Sequence, residues 1–217
     1  MNTPHNPTGS VIERSEVERL ARALGERAVP LIVDEVYHPL YFGSDPRSAA
    51  AIDNVILVGD MSKAMSLAGV RVGWFVDADP ERRKRLIDAR SYLTISGSPL
   101  TEAIAAHALR NRTSILARLR HVASANLAVL SEALGKAGNV LSWVAPTGGT
   151  TCFPWFADGR DSRPFCERLV REGVLVVPGD CFGEPSHVRI GYGAQSEGFP
   201  SAVGILGKVL ADAGADS

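Results

Sequence analysis

Several residues able to do chemistry stand where short apolar runs of the chain stop. Asp34 ends the run Leu31-Ile32-Val33, and Tyr37 follows three residues on. Lys63 comes shortly after a second run, Val55 to Val58, and Arg71 lies eight residues past Lys63. Arg189 sits inside Val188-Arg189-Ile190-Gly191-Tyr192. In open α/β sheets ligands bind outside the carboxyl ends of strands. A lysine amine acts as nucleophile or base when burial or a neighbouring cation disfavours its charge. The planar fork of arginine suits phosphate or carboxylate. Each residue alone has a commoner, plainer reading. A carboxylate after a strand caps a helix, a lysine in a loop is solvated, and an arginine in a strand pairs with a surface acid.

The elements that must position these residues follow from pattern. Ser15-x-x-Glu18 reads as a capping box, with Val17, Leu20, Ala21 and Leu24 on one face of a helix of about three turns. Leu31 to Val33 and Val55 to Val58 read as wholly apolar strands, which belong in a sheet covered on both faces. Val70 to Val76 reads as a third strand, too close in sequence to the second for a parallel crossover, and so antiparallel to it. The basic run Glu81 to Arg85 reads as a solvated helix face. Ser98-Pro99 starts a long helical region to about Lys136, broken near Asn111. Beyond it come strands near Val140 to Val144 and Cys152 to Phe156, then a helix near Pro164 to Glu172. Strands Val174 to Val177 and His187 to Gly191 follow, and a last helix near Pro200 to Ala211. This order predicts the end of an α/β domain over 1–97, then a connecting helix and a smaller α+β domain over 98–217.

The amino-terminal stretch Asn2-Thr3-Pro4-His5-Asn6-Pro7-Thr8-Gly9 resembles the N-P-x-N-P-T-G segment of class I/II aminotransferases. Asp34-Glu35-Val36-Tyr37 resembles the family's D-x-x-Y element, and Ser62-Lys63 its Schiff-base serine-lysine. Leu67-Ala68-Gly69-Val70-Arg71-Val72-Gly73 resembles its phosphate-arginine stretch, and Arg189 its carboxylate-binding arginine. The resemblance runs over essentially the whole chain and implies part of a fold type I transferase dependent on pyridoxal 5'-phosphate (PLP). That fold is an α/β architecture with an incomplete, mostly parallel sheet, followed by the smaller α+β domain.

The resemblance also implies roles. Lys63 bonds the cofactor aldehyde and moves the proton at the substrate α-carbon. Arg71, with Ser62, holds the phosphate. Asp34 keeps the pyridine nitrogen protonated, so that the ring is an electron sink. Tyr37 and Asn6 hold the ring 3'-oxygen, and Arg189 clamps the substrate α-carboxylate. One position departs from the pattern: many relatives carry serine three residues before the lysine, where Asp60 stands here. A carboxylate cannot donate to phosphate and repels it. That leaves Ser62 with either a donor role or a packing role.

The reaction so implied passes an amino group from an amino acid to a 2-oxo acid, in a homodimer. Alternatives are another PLP enzyme of this fold (a lyase, decarboxylase or cyclising enzyme of amino-acid or antibiotic biosynthesis) and a non-catalytic remnant. The early sheet strands and the glycine-rich phosphate turn of the family do not occur in the sequence. The chain by itself is therefore expected to bind PLP weakly and turn over poorly, and a separately encoded N-terminal part is a further expected partner.

The 217 residues carry a net charge of -1, with 45% hydrophobic and 22% charged residues, which gives no basic field for nucleic acid. No apolar run reaches the ~20 residues of a membrane span. Cys152, Cys166 and Cys181 are widely spaced, reading as free thiols of a cytoplasmic protein rather than zinc ligands. Trp74, Trp143 and Trp155 are expected to pack, and His38 to be a hydrogen-bonded structural histidine.

Overall fold

Helix α1 (Arg14–Gly25) turns Val17 and Ala21 inward at helical spacing. It packs them on Leu31 and Val33 of β1 (Leu31–Asp34) and on Val55 and Leu57 of β2 (Val55–Asp60). The expected capping box does not form: the N-cap is Glu13, without a side-chain cap, and Glu18 instead pairs with Arg14 at 2.8 Å. The i,i+4 ion pair takes the carboxylate that would have reached back to the cap.

Strands β1 and β2 are parallel, in the register Leu31↔Val55 to Asp34↔Val58. β3 (Gly73–Asp77) runs antiparallel to β2, with Asp60 opposite Gly73 and Ile56 opposite Asp77. The antiparallel neighbour is as expected, but it starts later, because Ala68–Val70 forms a 3-10 turn and Arg71 is left-handed. Met1 to Thr3 lies along the outer edge of β1, with Asn2 bridged in parallel to Asp34. Cover over the sheet is uneven: Ile32 is 53% exposed and Trp74 39%. Trp74 lies against Gly59, where a Cβ would come within 2.9 Å of its ring.

Helix α2 (Pro80–Leu93) starts at Asp79, whose carboxylate accepts from the amides of Glu81 and Arg82. It buries none of its residues fully, and of the basic run Glu81 to Arg85 expected to be solvated, Arg82 is the half-buried exception, paired with Asp77; Tyr92, Leu93 and Ile95 at the helix end are more than four-fifths exposed. α3 (Pro99–Arg110) and α4 (Arg112–Lys136) are separated at Asn111, so the expected break is present.

Beyond α4 the strands are short. β4 (Leu141–Ser142), β5 (Thr151–Cys152) and β6 (Trp155–Phe156) precede α5 (Arg163–Arg171). β7 (Val177–Pro178), β8 (Val188–Gly191) and α6 (Phe199–Ala215) follow it. β4 pairs with β6, and β5 and β7 flank β8, all antiparallel. The single strand expected over Cys152 to Phe156 is therefore two pieces in different sheets. Pro154 lies between them, has no amide proton for a ladder, and gives its carbonyl to Val188 N at 2.8 Å. Phe165, Cys166 and Leu169 of α5 are buried, as are Val203, Leu206 and Leu210 of α6.

This computed structural model describes residues 1–43, 46–137, 140–193 and 197–215. It divides into one unit of 1–5 and 10–119, and another of 6–9 and 120–217. Among the described residues no helix is long and apolar enough to cross a membrane.

Candidate active site

Because β1 and β2 are parallel, their carboxyl ends share one edge of the first unit's sheet. Asp34 closes β1 there. Its Oδ1 accepts from Val36 N at 2.9 Å, which fixes the turn leading to Tyr37, and Tyr37 is buried. Glu35 N donates to Val58 O at 2.9 Å, so the exit of β1 is tied to β2. Ala64 N donates to Val36 O at 3.3 Å, which brings the Lys63 loop against the Asp34–Tyr37 turn. That loop is anchored by its apolar neighbours. Met61 and Met65, on either side of Lys63, are buried against Ala105 and Ala108 of α3. The Lys63 side chain is exposed, and Nζ makes no hydrogen bond or ion pair among the described residues.

Arg71 adopts φ 55°, ψ 39°, an unusual conformation for a side-chain-bearing residue. It turns back toward the loop: Nη1 lies 3.2 Å from Ala68 O and 3.4 Å from Ser62 Oγ. Ser62 is itself held by Asp60. Its amide donates to Oδ1 at 2.7 Å and its hydroxyl to Oδ2 at 2.8 Å. The first unit thus brings together Asp34, Tyr37, Ser62, Lys63 and Arg71.

Asn6 and Arg189 come together in the other unit. Arg189 Nη1 donates to Asn6 Oδ1 at 3.3 Å, across 183 positions of sequence. The Arg189 guanidinium also stands 5.2 Å over the Phe182 ring, a cation–π contact. Gly9, at the end of the Asn6 segment, accepts from the amides of Thr147 and Gly148 at 2.9 Å each. The Asn6-Pro7 peptide is cis.

Two residues have structural roles at this edge: Glu35 went unread in the sequence, and Asp60 was read there only as a departure from the family pattern. Buried Glu35 accepts from Ser48 Oγ and Ala49 N at 2.7 Å each, pinning the turn at 49–51. Asp60 is the second, and Asp-x-Ser directly after an apolar strand was the signal for its turn. His38 is hydrogen-bonded through Nδ1 to Tyr41 at 2.6 Å, as a structural histidine should be. Cys152 and Cys166 are buried and offer no second nucleophile. Burial pushes the Cys152 thiol up to about 12 and the Cys166 thiol up to about 11, so both stay protonated.

The profile "Aminotransferase class I and II" matches residues 1–204. Capreomycidine synthase of Streptomyces vinaceus is 36% identical over 197 residues, covering 88% of this chain and 50% of that protein. A PLP-dependent aminotransferase from Streptococcus suis 89-1591 superposes with a TM-score of 0.90 at 31% identity, over 97% of this chain and 56% of that one. The PLP-dependent cyclase OrfR gives a TM-score of 0.88 at 27% identity, over 98% and 58%. The chain spans about half the length of the curated relatives it matches, and its α/β architecture is a partial fold type I transferase. From the profile match and these structural likenesses together, the chain belongs to the class I and II aminotransferase family.

Proposed function

We propose that this chain is the lysine-bearing part of a PLP-dependent enzyme that passes the α-amino group of an amino acid to a 2-oxo acid. The observation that carries the reading is the hydrogen-bonded edge of β1 and β2, where Asp34, Tyr37, Lys63 and Arg71 are held by adjoining turns. The donor set fits the cofactor group by group: an amine for the aldehyde, a carboxylate for the pyridine nitrogen, a phenol for the 3'-oxygen and a guanidinium for the phosphate. Bound PLP supplies a ring that stabilises negative charge at the substrate α-carbon.

The chain's own residues do the rest. Lys63 Nζ would hold the cofactor at its aldehyde carbon, with loss of water, and once displaced there by the substrate's amine it would be free to take and return the proton of the substrate α-carbon. Asp34 already has Oδ1 engaged by its own turn, and its other oxygen would be the one to hold the pyridine nitrogen protonated. Tyr37 donates to the ring 3'-oxygen, as does Asn6, whose Oδ1 faces Arg189. Arg71 would form the phosphate side of the site, with Ser62 against it, and Arg189 would orient the substrate through its α-carboxylate. In this reading 1–97 belong to the cofactor-holding domain, and 98–217 form the connecting helix and small domain. Homodimerisation and a cytoplasmic setting accompany the reading.

A second reading, cyclisation of an amino acid, is favoured by the likeness to capreomycidine synthase and to the cyclase OrfR. The two differ in what they consume. With PLP and an amino-acid panel, amino transfer stops when the 2-oxo acid is left out, whereas cyclisation continues without it. Continued conversion of one amino acid with no acceptor present would reject the first reading in favour of the second.

A further inference from the structure

The residue before Lys63 carries two hydrogen-bond donors, and both are taken. Ser62 N donates to Asp60 Oδ1 at 2.7 Å, and Ser62 Oγ to Asp60 Oδ2 at 2.8 Å. A hydroxyl has one proton. With that proton on Asp60, Ser62 Oγ is left to accept, and the group 3.4 Å from it is Arg71 Nη1. Asp60 is fixed in this position by the sheet: it is the last residue of β2, opposite Gly73, and a Cβ on Gly73 would lie 3.2 Å from its own Cβ.

We propose that Asp60 is a positioning residue that commits Ser62 to accepting, and so leaves anion recognition on this side of Lys63 to Arg71. The site then holds a phosphate-bearing aldehyde less tightly than its fold allows, while an aldehyde without phosphate is unaffected. The inference rests on the reading of Lys63 as the residue that bonds the PLP aldehyde.

Asp60 has two opposed effects, and their sizes decide the sign. Holding Ser62 as an acceptor helps order Arg71. That help is small, because 3.4 Å is long for a hydrogen bond and Arg71 keeps Ala68 O at 3.2 Å. Against it stand two short bonds to a carboxylate that remove both Ser62 donors. The carboxylate also adds a negative charge beside the fork that binds the anion. The second effect wins, so removing the carboxylate tightens phosphate binding.

The test titrates the full chain with PLP and, separately, with pyridoxal, reduces each point with borohydride, and measures the Lys63 adduct by intact mass. Asp60→Ser is expected to lower the half-saturating PLP concentration about tenfold and to leave that for pyridoxal within about twofold. Asp60→Asn, which keeps the shape and removes the charge, is expected to give a smaller shift of the same sign. Asp60→Ala, which removes the carboxylate without adding a hydroxyl, should keep part of the gain, and adding Ser62→Ala to it should remove the share that comes from the released hydroxyl. An equal shift for both aldehydes, or weaker PLP binding in the Asp60 variants, would overturn the inference and leave the reading of Lys63 standing. Absence of a Lys63 adduct with either aldehyde in any of the proteins would overturn both.

Discussion

The two edges of the first unit's sheet end in the same local device and put it to different uses. β1, β2 and β3 each finish in an aspartate whose Oδ1 accepts the amide two residues on: Val36 after Asp34, Ser62 after Asp60, Asp79 after Asp77. What differs is the second oxygen. At the far edge, Asp77 is buried and gives both oxygens to Arg82, at 2.6 and 2.8 Å. At the near edge, Asp60 Oδ2 is taken by the Ser62 hydroxyl. Asp34 has valine at the corresponding place, and its Oδ2 makes no hydrogen bond among the described residues. One turn type thus yields a structural ion pair, a positioned serine and a carboxylate oxygen with no hydrogen bond among the described residues, according to the side chains that follow.

The largest effect belongs to the structural aspartate. Arg82→Ala leaves Asp77 buried without its partner and should cost about 3 kcal/mol of stability in denaturant unfolding. The corresponding loss from Arg71→Ala should be a small fraction of that, since Arg71 is exposed and pairs with no acid among the described residues. Equal losses would erase the contrast between the edges.

Acid should erase it in a defined direction. The hydrogen bond from Arg82 holds the Asp77 carboxyl below its ordinary 3.8. A depressed folded-state pKa contributes stability above the unfolded value, and that stability is lost as pH falls through the folded one. The stability gap between wild type and Arg82→Ala should therefore be full near pH 6 and shrink steadily below about pH 4. A gap that stays constant to pH 2 would mean that Asp77 is not the group Arg82 stabilises.

The same substitution at the two near-edge turns separates a ligand-facing carboxylate from a positioning one. Asp34→Asn should slow exchange of an amino acid's α-proton with deuterated solvent about 100-fold at saturating PLP. Asp60→Asn should slow it by no more than a few-fold. A smaller effect sharpens the point: Val36→Ser copies the Asp60 turn onto β1 and supplies a hydroxyl for Asp34 Oδ2. The account expects a several-fold slower exchange with little change in melting temperature.

The parts legible in the sequence were those set by local pattern. Apolar runs ending at Asp34 and shortly before Lys63 gave two neighbouring strands whose carboxyl ends share one edge, and the break at Asn111 was readable from the chain. The capping box at Ser15 failed because Arg14 competes for Glu18, which a helix-start template does not weigh. The two-residue strands around Pro154 exist through partners far along the chain, and no period of apolar residues announces them. The pairing of Asn6 with Arg189 is likewise set by the fold alone. The Asp60–Ser62 turn was written in the sequence as Asp-x-Ser, yet its consequence for the serine's proton needed the distances.

The most direct test of the central claim is to mix the purified chain with excess PLP, reduce with borohydride, and take an intact mass and peptide map beside a Lys63→Ala control. The account predicts one adduct per chain, on the peptide containing Lys63 and absent from the control. No adduct, or scattered labelling of several lysines that persists in Lys63→Ala, would contradict it.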